Sequence, residues 1–212
     1  LRDRGTFYLD ITGEIAAVDE NAKVETDTTA AKKYGYLVGA IMNEGFAATG
    51  QFKIFTGAGE TSILTSTEKM RYNNDYGKKA EDVVKTLNGS GTVSPQLIMY
   101  ETNSTGEITA IDTAKDGTST GAPNKGTFTL NISNSNMVYK SASGKLGNVG
   151  IGTSTIIFEI PSDAGIDTTK YSIRSNSSLS NDTSYSARVY DLQDNYMANA
   201  VVITNSTGTT SA

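Results

Sequence analysis

The chain has 212 residues, a formal net charge of −5, and no Cys, His or Trp. Those absences exclude a disulfide scaffold, zinc or copper sites of nitrogen and sulfur ligands, and serine–histidine or cysteine–histidine nucleophiles. The acidic balance argues against a nucleic-acid partner, whose phosphates call for clustered Lys and Arg.

Thr, Ser, Asn and Gly supply 87 of the residues, against only three prolines. Thr suits strands and the others suit turns, while Val, Ile, Tyr and Phe recur too regularly for a disordered tract. This is the composition of an extracellular β protein. Leu1-Arg2-Asp3-Arg4 reads as the middle of a longer protein. No stretch approaches the 18 or so apolar residues of a membrane helix, so no membrane insertion is expected of this segment.

In chain order, Phe7, Tyr8 and Leu9 and then 14–19 read as strands broken near Gly13. Residues 34–42 (YGYLVGAIM) predict a strand buried on both faces, with Gly35 and Gly39 marking a close backbone approach or a bend. Residues 51–56 alternate, Phe52 and Ile54 against Lys53 and Phe55. Beyond the turn at Gly57-Ala58-Gly59, 62–72 give the next strand or pair. Over 78–87, Ala80, Val83, Val84 and Leu87 fall at i, i+3, i+4 and i+7, which predicts a helix, and Asn88-Gly89 stops it. Residues 96–102 and 107–112 read as a hairpin. TGEIAAVD at 12–19 returns as TGEITAID at 105–112, with six of eight residues identical. Both copies are expected in one sheet or barrel, bracketing a first domain.

The expected fold class is mainly β, as two small tandem domains. Residues 5–112 would form a partly closed barrel with one short helix, in an order that resembles the OB-fold. Residues 113–125 (TAKDGTSTGAPNK) hold almost nothing apolar and read as a linker. Residues 126–205 would form an antiparallel β barrel or sandwich, with strands at 127–132, 137–140, 155–160, 171–174, 185–192 and 196–204. The last two make the clearest hairpin, with Tyr185, Ala187 and Val189 sharing a face. Residues 205–212 are a polar tail.

Few constellations carry chemistry. Ser66-Thr-Glu-Lys69 matches the S-x-x-K of penicillin-binding proteins, but that chemistry needs a helix, and on a strand Ser66 and Lys69 point to opposite faces. Asp112, Asp116, Asp191 and Asp194 place carboxylates in turns. Weak surface calcium is the metal reading there; turn-starting Asp and Asn bonded to their own backbone is the plainer one, and no cofactor is expected. Asn-x-Ser/Thr triplets at Asn88, Asn103, Asn131, Asn176, Asn181 and Asn205 read as structural. Tyr34, Tyr36, Tyr185, Tyr190 and Tyr196 could stack on sugars, but without Trp their alternation predicts core or cross-strand packing. No catalytic, cofactor-binding or metal-ligating residue is assigned, and no enzymatic activity is expected.

STIIFEIP at 154–161, KYS at 170–172, SYSARVYD at 184–191 and ANAVVI at 198–203 resemble β-rich modules of clostridial cell-surface proteins. Those proteins carry S-layer homology (SLH) domains. MRYN at 70–73, AEDVV at 80–84, QLIMY at 96–100 and GEITAID at 106–112 are similar to the module that commonly precedes them. SLH domains are helical and lie outside this chain. The resemblance implies a structural or spacer module on the surface or S-layer of a Gram-positive bacterium. Its partners would be the rest of the parent protein and cell-wall or S-layer components. The alternative is a carbohydrate- or ligand-binding module of a secreted enzyme or adhesin.

Overall fold

The computed structural model describes residues 6–9, 15–19, 32–43, 45, 47–118, 126–205 and 209–210. The chain divides into two compact units, Leu1–Ala31 and Lys32–Ala212. In the first, β1 (Thr6–Leu9) and β2 (Ile15–Asp19) pair antiparallel as a two-stranded sheet.

The second unit is mainly β and opens with a barrel. β3 (Lys33–Met42), β4 (Gly50–Thr56) and β5 (Thr61–Tyr72) form an antiparallel meander, β3 with β4 and β4 with β5. A turn with Asn73 and Asn74 at positive φ, which Asn tolerates, leads into β6 (Asp75–Lys79). Then come α1 (Ala80–Asn88), β7 (Gln96–Thr102) and β8 (Ile108–Asp116). The ring runs β5, β4, β3, β7, β8, and β8 closes it by pairing in parallel with β5. Closure is partial, because the β5–β8 ladder is irregular between Ser66 and Arg71. The Thr67 hydroxyl lies in that gap, 2.8 Å from the Lys69 carbonyl oxygen and 3.3 Å from that of Ile108. Inside the ring, Leu37, Phe52, Ile54, Ile98, Ile108 and Ile111 form a core closed at one end by Val83, Val84 and Leu87 of α1. The predicted stripe thus faces the barrel interior. Glu81 and Asp82 in its first turn and Lys85 in its last suit the helix dipole.

The second half extends the same sheet. It comprises β9 (Phe128–Lys140), β10 (Lys145–Leu146), β11 (Val149–Gly150), β12 (Ile156–Glu159), β13 (Ser172–Arg174), β14 (Thr183–Leu192), β15 (Ala198–Ile203) and β16 (Thr209–Thr210). Beyond β8 the strand order is β9, β14, β15, β12, β13. The expected hairpin is β14–β15, but the half is not wholly antiparallel, since β12 pairs in parallel with β15. Alternation divides these strands between two cores. Tyr185, Ala187, Val189, Val201 and Ile203 join Leu146, Val149 and Leu179 on one face. Phe158, Tyr190, Ala200 and Val202 meet Tyr36, Val38, Phe55, Leu97 and Met99 from the outer wall of the barrel on the other.

Two placements depart from expectation. The first copy of the repeated motif ends in β2 and the second in β8, in different sheets and different units. Among the described residues β2 pairs with β1 alone, whereas β8 pairs with β7, β5 and β9. In the interval read as a linker, 113–116 continue β8, and Ala114, Lys115 and Asp116 pair in parallel with Phe128, Thr129 and Leu130. Thr113 still pairs with Ile98 of β7 and the next three residues pair with β9, so both sheet and core run from one half into the other.

Candidate functional site

The most concentrated chemistry lies where β5 and β8 close the barrel. Arg71 and Asp112 are 9% and 1% exposed. Arg71 Nη1 donates to Asp112 Oδ1 at 2.7 Å and Nη2 to Oδ2 at 2.9 Å, a bidentate pair. The same Nη2 lies 2.8 Å from Glu101 Oε1, and Lys32 Nζ lies 3.5 Å from Asp112 Oδ2. Burial opposes the guanidinium charge, but the two carboxylates outweigh it and hold the group above its usual range. Next to this cluster the Asn73 amide bonds Thr113 through both its nitrogen and its oxygen. These bonds tie the end of β5 to β8.

A second polar tie joins the two halves. Tyr34 on β3 donates to Asp191 Oδ2 at 2.8 Å, and Asn199 Nδ2 reaches the same oxygen at 3.4 Å. Burial, then the neighbouring carboxylate, raise the Tyr34 phenol far above its ordinary range. Around it the aromatic rings interlock edge to face: Tyr34 with Phe128 at 5.9 Å, Tyr36 with Tyr171 at 5.7 Å, and Phe55 with Tyr171 at 5.5 Å. Burial pushes the Tyr171 and Tyr190 phenols up to about 12.

The residues singled out in the sequence are not brought together. Ser66 is fully buried; it accepts from the Gly50 amide at 3.0 Å and donates to the Thr67 carbonyl, while Lys69 is exposed. Asp112 serves Arg71 and Asp191 serves Tyr34. Among the described residues no group of three Asp or Glu stands close enough to hold a metal ion. Tyr36, Tyr185 and Tyr190 are buried, and Tyr196 is 62% exposed. The Asn side chains of four triplets bond backbone amides or carbonyls: Asn88 to Ala40, Asn131 to Leu192, Asn181 to Ser141 and Asn205 to Ser186. Asn103 accepts from the amides of Thr105 and Glu107 and so shapes the β7–β8 turn. Asp112 ends the repeated motif, which marks it in the sequence. Arg71 sits between Met70 and Tyr72, and an Arg between apolar neighbours in a strand is the signal that would have pointed to its burial.

The surface offers open clefts. One, of about 530 Å³, lies among Lys33, Tyr34, Gly57, Tyr100 and Ile156. Another, of about 240 Å³, lies between β6 and α1 among Tyr72, Asp75, Lys78 and Asp82. In the first, the Tyr34 hydroxyl is already committed to Asp191. The fold defines a mainly β protein in which the sheet of a small barrel continues past β8 and packs back against the barrel wall. No protein-family model, characterised protein or solved structure matches this chain. Among the described residues no helix is long and apolar enough to cross a membrane.

Proposed function

We propose that this chain is a non-catalytic structural module of a bacterial cell-surface or S-layer protein, exposed or spacing its parent at the cell wall. The observation that carries the reading is that its buried charges are turned on one another. Arg71 holds Asp112 and Glu101 across the barrel seam, and Arg174 holds Glu159 between β13 and β12. A catalytic site instead keeps a poised acid, base or nucleophile facing a cavity. The aromatic packing between barrel and sheet suits a body that keeps its shape. The bacterial-surface setting rests on the resemblance of the strand motifs, which carry no binding residues.

The test pairs immunolabelling of intact source cells with a glycan array of cell-wall and plant glycans. Surface label and a silent array are expected. Label only after lysis would contradict the setting. Glycan binding that is lost in Tyr196→Ala would make this a carbohydrate-binding module instead.

A further inference from the structure

The two copies of the repeated motif match in more than sequence. In β7–β8, Met99 faces Asp112, Tyr100 faces Ile111, Glu101 faces Ala110, and then the register slips so that Thr102 faces Ile108. In β1–β2, Thr6 faces Asp19, Phe7 faces Val18, Tyr8 faces Ala17, and the register slips so that Leu9 faces Ile15. Every pair is displaced by the same 93 positions. The extra residue falls at Thr109 in one hairpin and at Ala16 in the other. A bulge is a designed feature that bends its strand, so its recurrence at the same place means the two hairpins are shaped for the same surroundings. The turns agree in sequence as well. Asn103 and Gly106, which build the β7–β8 turn with Gly106 at φ 84°, correspond to Asp10 and Gly13, which lie outside the described residues.

In the barrel those surroundings are known. The outer edge of β7 pairs with β3, and the outer edge of β8 pairs with β5. Among the described residues of Leu1–Ala31 no third strand joins β1 or β2. A lone two-stranded hairpin is marginal in water and exposes two unpaired edges.

We propose that residues 6–19 are the closing hairpin of a second barrel of the same kind. Its partner would be a curled three-stranded sheet with a following helix, like 33–88, carried upstream in the same polypeptide. The edge of β1 would take the counterpart of β3 and the edge of β2 the counterpart of β5. Asp19 ends the motif there as Asp112, the partner of Arg71, ends it here. The module would then be one member of a tandem array. This stands on strand register and not on the surface setting, so the failure of either leaves the other intact.

Two measurements test it. In the first, 6–19 replace 99–112 in the full chain, beside a control with the same 14 residues in reversed order. The exchange is expected to keep a dispersed amide spectrum and one cooperative melt, which Asp19→Asn within it lowers as Asp112→Asn lowers that of the parent. A melt no better than the control overturns the equivalence. In the second, amide exchange is compared between the 212-residue chain and the natural polypeptide extended upstream by one barrel length. Protection of Tyr8 and Ala17 is expected to rise about 100-fold or more in the longer chain. Equal exchange, an upstream sequence without three strands and a helix, or a dimer of the 212-residue chain that is lost on deleting 1–31 would each overturn the proposal.

Discussion

Asp112 and Arg71 carry the largest single electrostatic commitment in the barrel. Removing one member of a buried pair strands the other charge, which typically costs about 3–5 kcal/mol. Asp112→Asn should therefore lower stability by about 3 kcal/mol, read as a fall in the urea midpoint with an unchanged slope. Replacing both, Arg71→Met with Asp112→Leu, should cost less than either single change, because no unpaired charge remains. Tyr171 and Tyr190 supply a pH dependence whose sign is fixed. Their phenols titrate near 12 in the folded chain and near 10 when unfolded, so the fold favours the neutral form. That contribution is complete below about pH 10 and is lost as pH rises towards about 12. Urea midpoints should show no pH-dependent change from these two groups between about pH 7 and 9, where their contribution is constant, and should drop steeply above about pH 10.5. Core packing of the tyrosines was legible in their alternation, and Tyr36, Tyr185 and Tyr190 are buried, but neither their ring partners nor the Arg71–Asp112 pair could be named from it. Alternation placed Tyr185 on an inner face, but the partner of Asp112 lies 41 residues away on a strand that pairs in parallel.

At the scale of elements the sequence was most readable where one face or both are apolar. The helix stripe of Ala80, Val83, Val84 and Leu87, strand 96–102 and the β14–β15 hairpin stand where periodicity puts them. β6, with its sequence DYGKK, and the two-residue strands β10 and β11 have no apolar pattern, and neighbours alone make them strands. Gly39 falls at a bulge in the β3–β4 register, and Gly35 at a close approach. A Cβ at Gly35 would come within 2.5 Å of Ile54 Cγ2 and 2.9 Å of the Tyr100 ring. Both neighbours are buried and flanked by packed strands, so Gly35→Ala should cost about 1–3 kcal/mol, checked by thermal melting. Gly45→Ala, which meets nothing within 4 Å, is the matched control and should stay within about 0.5 kcal/mol of the parent.

The mainly β class and the partly closed barrel with its helix were legible from the order of the elements. The continuity of the sheet through 113–116 was not. Thr113, Ala114, Lys115 and Asp116 have a loop-like composition, and only pairing with β7 on one side and β9 on the other makes them strand. The core between barrel and sheet was hidden for a related reason. Tyr36, Val38 and Phe55 read as the second apolar face of barrel strands, and nothing in their spacing names Phe158 or Val202 as what covers them. Because that core belongs to both halves, neither half can lose its structure without exposing the other. Equilibrium urea unfolding followed by methyl signals of Ile54 and Ile98 in the barrel and Val189 and Val201 in the second half tests this most directly. One shared midpoint and slope for all four residues is the predicted result. Separate transitions for the two pairs would contradict the account of a single structural body.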